Sequence, residues 1–240
     1  MASTVSVYDD IHLRLLSDTV SDGETRKGWK CRQIERLSRG LRATNRYYKI
    51  MGPVNEFCDY DYSVYTDNNI LVLRSVETLL RSFKKSQAAI GLFRHAERSN
   101  LHAEVEACRR LGKFDDVDRE RIDEQLRTYA ATPGVHEQPL TDNAVLIRWH
   151  RHPALEPAMQ LWWDQLCQYS IRDQISLPFV LAKTKIPYKL YDFSPHKSNP
   201  YFVAYPNPTN HRNRVKRALL LSRDAILGLQ SRHLASDESR

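Results

Sequence analysis

Apolar positions along the chain switch repeatedly between a period of two and a period near three and a half. Alternating stretches rich in aromatic and β-branched residues predict strands over 4–8, 11–16 and 29–34. A further strand starts at Tyr60 and runs into Asp67-Asn68-Asn69, where turn chemistry replaces extended pairing. Short apolar runs bounded by polar residues predict a piece at 70–73 and buried strands over 88–93, 143–149, 189–193 and 201–205. Helical spacing predicts helices over 38–51, 76–85, 101–111, 115–131, 155–169, from 170 to about 184, and a basic amphipathic one over 213–229. Leu41, Tyr47 and Tyr48 are expected inward on the first of these. Val76, Leu79, Leu80 and Phe83 form the stripe of the second, and Leu161, Trp162, Leu166 and Tyr169 that of 155–169. Gly52-Pro53, Gly112 and Pro133-Gly134 punctuate the pattern. Ser170, with Asp173 three residues on, reads as a helix N-cap in a capping-box-like arrangement.

Strands alternating with helices, without a linker or an internal repeat, predict one α/β domain over 1–240, closed by the basic helix and a polar tail at 230–240. With 41% hydrophobic and 10% aromatic residues, the chain can bury a sizeable core. The net charge of +7 favours an anionic partner without choosing among nucleic acid, a nucleotide sugar and a membrane surface. Cys31, Cys58, Cys108 and Cys167 are too far apart for a C-x-x-C pair and are expected as reduced thiols. Residues 1–10 lack a basic-then-apolar leader pattern, and no apolar run reaches the roughly 18 residues of a membrane span. A soluble, cytoplasmic protein is therefore expected.

The candidate chemistry lies where strands end. Asp67 with Asn68 and Asn69 offers oxygen ligands suited to a hard divalent cation, although the same residues are ordinary turn formers. His95 with Arg98 follows the next strand, and Arg148 with His150 the one after. If those strands run parallel in one sheet, all of these groups meet at its carboxyl edge, where ligands of open α/β sheets bind. Arg42, Arg46 and Lys49 share one helix face, which suits either phosphate or solvent. The P-loop, the dinucleotide fingerprint, the nucleophile elbow and the H-E-x-x-H pair are all absent. That weighs against NTPases, dinucleotide oxidoreductases, α/β-hydrolases and common zinc proteases.

Several stretches carry a resemblance when taken in order. They are Val7-Tyr8-Asp9-Asp10, Arg46-Tyr47-Tyr48-Lys49-Ile50, Asp59 to Asn69, and Phe93-Arg94-His95-Ala96-Glu97-Arg98. Glu104, Asp123-Glu124-Gln125 with Tyr129, Arg148-Trp149-His150, Trp162 and Ser170 to Ser176 continue the series. Over about residues 5–182 the chain resembles the glycosyltransferase-like family of plant mucilage-related and turgor-regulation-related proteins. The resemblance implies a GT-A-like nucleotide-diphospho-sugar transferase fold, with a central, mostly parallel mixed sheet flanked by helices. It implies a nucleotide-sugar donor, a glycan, lipid or protein acceptor, and Mn²⁺ or Mg²⁺ on the donor diphosphate. The family's Asp-x-Asp element here reads Asp67-Asn68-Asn69, with one carboxylate. Asp67 and Asn69 are therefore the expected metal residues, or His196 or His211 completes the shell. Arg46, Lys49, Asp67 and Asn69 are expected at the donor. His95, Arg98, Arg148, His150, Arg172 and Gln174 are expected on the sugar or acceptor side, and Asp173 as the catalytic carboxylate.

Two other readings share these residues. A metal-dependent hydrolase of a lipid or glycoconjugate would use Asp67 and the histidines to activate water. A nucleic-acid-binding protein would draw on the run from His211 to Arg217; it ranks last, and no nucleic-acid partner is expected. Peripheral contact of the basic helix with an anionic membrane is compatible with a lipid-linked acceptor.

Overall fold

The computed structural model describes residues 2–8, 10–26, 29–52, 59–73, 76–206 and 211–226. Asp9, Pro53, Cys58 and the expected tail at 230–240 lie outside the described residues. Elements run in the order β1 (Ala2–Tyr8), β2 (Asp10–Ser17), β3 (Thr25–Arg26), β4 (Trp29–Gln33), α1 (Leu41–Ile50), β5 (Tyr62–Asp67) and β6 (Ile70–Val72). Then come α2 (Val76–Ser86), β7 (Ile90–Phe93), α3 (Leu101–Arg110), α4 (Asp116–Ala130), β8 (Val145–Trp149) and α5 (Leu155–Gln168). The last are α6 (Asp173–Thr184), β9 (Tyr188–Tyr191), β10 (Phe202–Ala204) and α7 (His211–Ile226). The expected α/β alternation is present. No helix of the described residues is long and apolar enough to cross a membrane.

Eight strands form one sheet in the order β3-β4-β2-β1-β5-β8-β7-β9, and β6 pairs with β10 in a small second sheet. The sheet is mixed, but the expected largely parallel pairing is corrected. Only β2 with β4 and β7 with β9 pair in parallel. β8 enters antiparallel between β5 and β7. The cause is the number of helices in each connection. One helix, α2, carries the chain back across the sheet, so β7 runs in the direction of β5. Two helices, α3 and α4, return it to the edge where β7 ended. There Asp142 N–H bonds to the Phe93 carbonyl and His95 N–H to the Leu140 carbonyl. β8 must then run the opposite way.

Side chains of the central strands alternate between two cores, as the period of two requires. Tyr65 and Leu146 face α1, α5 and α6, where Ile50, Trp162 and Leu177 are fully buried. Val64, Val145 and Ile147 face α2, whose expected stripe of Val76, Leu79, Leu80 and Phe83 is buried against them. A third cluster packs α3 and α4 on α6 through Val105, Ile122, Tyr129 and Phe179. Gly91 in β7 admits the packing of α2 on the sheet: a Cβ there would come within 3.2 Å of the Phe83 ring. Cys31, Cys108 and Cys167 are free thiols.

Two local expectations are corrected. Leu41 is 61% exposed, because α1 turns Ala43, Thr44, Lys49 and Ile50 inward. Ser170 is not a helix cap: α6 starts at Asp173 with Arg172 as N-cap, and the Ser170 hydroxyl donates to Gln125 Oε1 at 2.6 Å. Tertiary pairing with α4 has taken the hydroxyl that local capping would have used.

His150 follows the end of β8 and lies beside Ser63 of β5, with Nε2 2.9 Å from the Ser63 hydroxyl. Burial, and then the charges of Arg148 and Arg151, push its pKa down to about 4. The folded protein therefore refuses a proton that the unfolded chain accepts near pH 6.5. Stability should fall as pH drops below about 6.5 and level off near 4, by up to about 3 kcal/mol. Urea unfolding of wild type and His150→Gln from pH 7 to 4 should show this component only in wild type. Parallel curves for the two proteins would remove His150 from the acid response.

Candidate active site

The carboxyl edge of β5 and β7 opens into a cavity of about 530 Å³, a size that suits a small-molecule ligand. β5 contributes Asp67, and the connection after β7 contributes His95, Glu97 and Arg98. Because β8 is antiparallel, its amino end reaches the same edge and brings Asp142 and Asn143. α1 supplies Arg46 and Lys49. The start of α6 supplies Arg172, Asp173 and Gln174. Lys113, His196 and Lys197 complete the charged wall.

Lys49 is the centre of this wall. It is 2% exposed, and its Nζ lies 2.7 Å from Asp173 Oδ2 and 3.8 Å from Asp67 Oδ1. Arg46 Nε approaches the other Asp173 oxygen at 3.3 Å. Burial alone would raise the Asp173 pKa, but the charges of Arg46 and Lys49 overcome it and hold the carboxyl well below the usual range. Asp67 accepts the Tyr65 hydroxyl at 2.7 Å and keeps a third of its side chain exposed. Burial, and then the Asp67 charge, push the Tyr65 phenol well above its ordinary pKa, so it remains a donor.

A second buried carboxylate, Glu104 of α3, lies behind the opposite wall. It accepts Arg98 Nε at 2.5 Å and Cys108 Sγ at 3.2 Å, and Arg172 Nη2 lies 3.6 Å away. His95 Nδ1 accepts the main-chain N–H groups of Glu97 and Arg98. Burial, and then the Arg98 charge, lower its pKa. Asp142 accepts the Ser194 hydroxyl at 2.5 Å and His196 Nδ1 at 2.7 Å. The bond to Asp142 raises the His196 pKa.

Of the expected site residues, Arg46, Lys49, Asp67, His95, Arg98, Arg172, Asp173 and Gln174 line this one cavity. Three are corrected. Asn69 turns away, and its Nδ2 donates to the Tyr205 carbonyl at 3.0 Å, joining β6 to the end of β10. Arg148 is fully buried in mid-sheet, where Nη2 donates to the Lys49 carbonyl at 2.6 Å. His150 lies past the end of β8, at the opposite edge of the sheet. Strand direction separates both from Asp67. Asp142, Asn143, Lys113 and Lys197 escaped the sequence reading. Asp142 and Asn143 precede a strand, and only residues following strands had been expected at this edge.

Asp67 and His196 line the same cavity and are the groups there that could hold a divalent cation. His196 Nδ1 is held by Asp142, a contact of the kind that also orients metal-bound histidines, so Nε2 is the ring nitrogen that could meet a cation. Among the described residues no group of three or more His, Cys, Asp or Glu side chains forms a ready cage. Phosphate oxygens of a ligand would complete such a shell, as they do for Mg²⁺ on nucleotides.

Residues 54–203 match the family model of the TOD1/MUCI70 glycosyltransferase-like domain. The chain belongs to this family. A probable hexosyltransferase, MUCI70 of Arabidopsis thaliana, is 30% identical over 131 residues, which is 51% of this chain and 22% of that protein. The chain thus covers about a fifth of that relative's length. No solved structure matches it. The TOD1/MUCI70 match takes in β5, the connection after β7, β8 and the start of α6, and so most of the cavity wall. α1, with Arg46 and Lys49, precedes it.

Lys49→Met would leave Asp173 buried with one cation fewer. The unfolding free energy should drop by about 3 kcal/mol, and Asp173→Asn in the same chain should recover much of the loss. Urea unfolding of both single variants and the double variant checks this. Additive losses would mean that the pair is not coupled.

Proposed function

We propose that the cavity binds a nucleotide-sugar and transfers its sugar to an acceptor hydroxyl, in a GT-A-like manner. The observation that carries the reading is the meeting, at one sheet edge, of Asp67 with the half-buried Arg46 and the buried Lys49. The family assignment and the hexosyltransferase relative support the reaction class. In the transfer, the acceptor oxygen bonds to the anomeric carbon and the acceptor gives up its proton. The bond from that carbon to the diphosphate breaks, and its electron pair stays on the diphosphate. Charge therefore grows on the leaving group, and cations fixed in place beforehand stabilise it.

Arg46 offers a planar fork of donors to phosphate, and Lys49 a point charge. Asp173 fixes both. This changes the role expected for Asp173. A carboxylate held by two cations is a weak base, so Asp173 serves here as a positioning residue. Asp67 and His196 would hold Mn²⁺ or Mg²⁺ against the diphosphate, and the cation would add positive charge to the leaving group. His95, Arg98 and Gln174 belong to the sugar or acceptor side. The Asp142–His196 pair also suits activation of water in a hydrolase, the second reading. Sugar release without any acceptor would favour it.

Thermal shift with UDP-, GDP- and CMP-sugars, with and without Mn²⁺, tests the donor site. One nucleotide class should raise the melting temperature, more so with Mn²⁺, and Asp67→Ala should abolish the Mn²⁺ increment. No shift with any of them would refute the donor site. Asp173→Asn should weaken nucleotide affinity and turnover together, whereas turnover falling at constant affinity would return Asp173 to the role of base.

A further inference from the structure

The basic amphipathic helix expected near the end of the chain is α7, and it takes no part in the cavity wall. Asn213, Arg217, Leu220 and Leu221 are half-buried and share one side of this helix at three- and four-residue spacing. Arg217 secures that side. Its guanidinium lies 5.5 Å from the centre of the Tyr205 ring, and Nη1 donates to the Pro206 carbonyl at 3.4 Å. Tyr205 in turn exchanges two bonds with Asn69: its N–H donates to the Asn69 carbonyl at 2.8 Å, and its own carbonyl accepts Asn69 Nδ2 at 3.0 Å. The helix is therefore fixed beside the turn that follows Asp67.

The opposite side of α7 is open. Val215 is 46% exposed, and Leu219, at 67%, is the most exposed large apolar side chain among the described residues. Arg212 precedes Val215 by three residues and Lys216 precedes Leu219 by three, so an exposed cation borders each apolar side chain. Arg214 lies across the stripe, four residues before the exposed Ala218. Over its 16 residues α7 carries five arginines and lysines against one carboxylate, Asp224.

We propose that this open side of α7 docks the protein on an anionic phospholipid membrane, with the helix lying in the interface. Val215 and Leu219 enter the boundary between headgroups and acyl chains, while the arginine and lysine stems keep their charges at the lipid phosphates. Each cation held near an anionic leaflet strengthens partitioning by about fivefold. A nucleic acid would satisfy the same cations, but its phosphate backbone offers Val215 and Leu219 no apolar phase to enter. The apolar centre of the basic face thus selects lipid. Docking through α7 adds to the transferase reading without depending on it, and it ties the membrane contact to the turn beside Asp67.

Flotation of the full chain with vesicles of phosphatidylcholine, with and without phosphatidylserine, tests the docking surface. Binding should be about tenfold tighter with phosphatidylserine and should weaken as salt is added. Val215→Ser with Leu219→Ser, and separately Arg212→Gln with Lys216→Gln, should each weaken it about tenfold. The melting temperature should stay unchanged in both, because all four side chains are exposed. Absence of vesicle binding overturns the proposal, as does equal binding to the two vesicle types or binding that either pair of substitutions leaves intact. Binding to a DNA or RNA duplex in place of vesicles, lost in Arg212→Gln with Lys216→Gln, overturns it in favour of a nucleic acid. Thermal shifts with nucleotide-sugars should be the same in these variants as in wild type, so failure of the docking surface and failure of the donor site read out separately.

Discussion

The buried contact between Lys49 and Asp173 ties the site to the fold. It joins the last turn of α1 to the first turn of α6, and both helices pack on the same face of the sheet. Losing one member of a buried pair leaves the other charge without compensation, which costs more than the pair itself contributes. Helix positions and charge positions are therefore coupled. Arg148 strengthens the tie from beneath, since its guanidinium donates to the Lys49 carbonyl from the middle of β8. Burial brings the Arg148 pKa down to about 10 and still leaves it charged at neutral pH. A residue expected at the substrate thus serves as a strut under the helix that presents Lys49.

The same economy recurs on the other wall. Glu104 is fully buried, yet its partners Arg98 and Arg172 both reach the cavity. A carboxylate behind an arginine fixes where the guanidinium points and lowers the cost of burying it. Asp142 does the same for His196. Three acidic residues thus orient groups that line the cavity, and each anchors its partners from a different part of the chain. Most of this charged cavity lies within the residues that match the TOD1/MUCI70 glycosyltransferase-like domain.

Much of this was legible in the residues themselves. Helical spacing located α2 and its buried stripe, and the punctuation at Gly112 and at Pro133-Gly134 marked the ends of α3 and α4. Asp67 at the end of an alternating strand, and Arg46 with Lys49 one helical turn apart, were legible as candidates, and all three line the cavity. These features depend on period and local chemistry, which are properties of neighbouring residues. Leu41 and Ser170 were misread for the opposite reason. Their local preferences were plain, but distant partners decided their environment.

Strand direction belonged to the tertiary structure alone. The two helices before β8 were predicted from spacing, but only their packing shows that they return the chain to the edge where β7 ends, which sets the direction of β8. An antiparallel β8 moved Arg148 and His150 away from the cavity and brought Asp142 and Asn143 into it. Asn69 likewise followed a long-range contact, its amide being claimed by the Tyr205 carbonyl. The sequence by itself determined which elements form and which charges are available. The packing of α3 and of α1 against α6 decided which charges meet, because side-chain convergence depends on contacts between residues far apart in the chain.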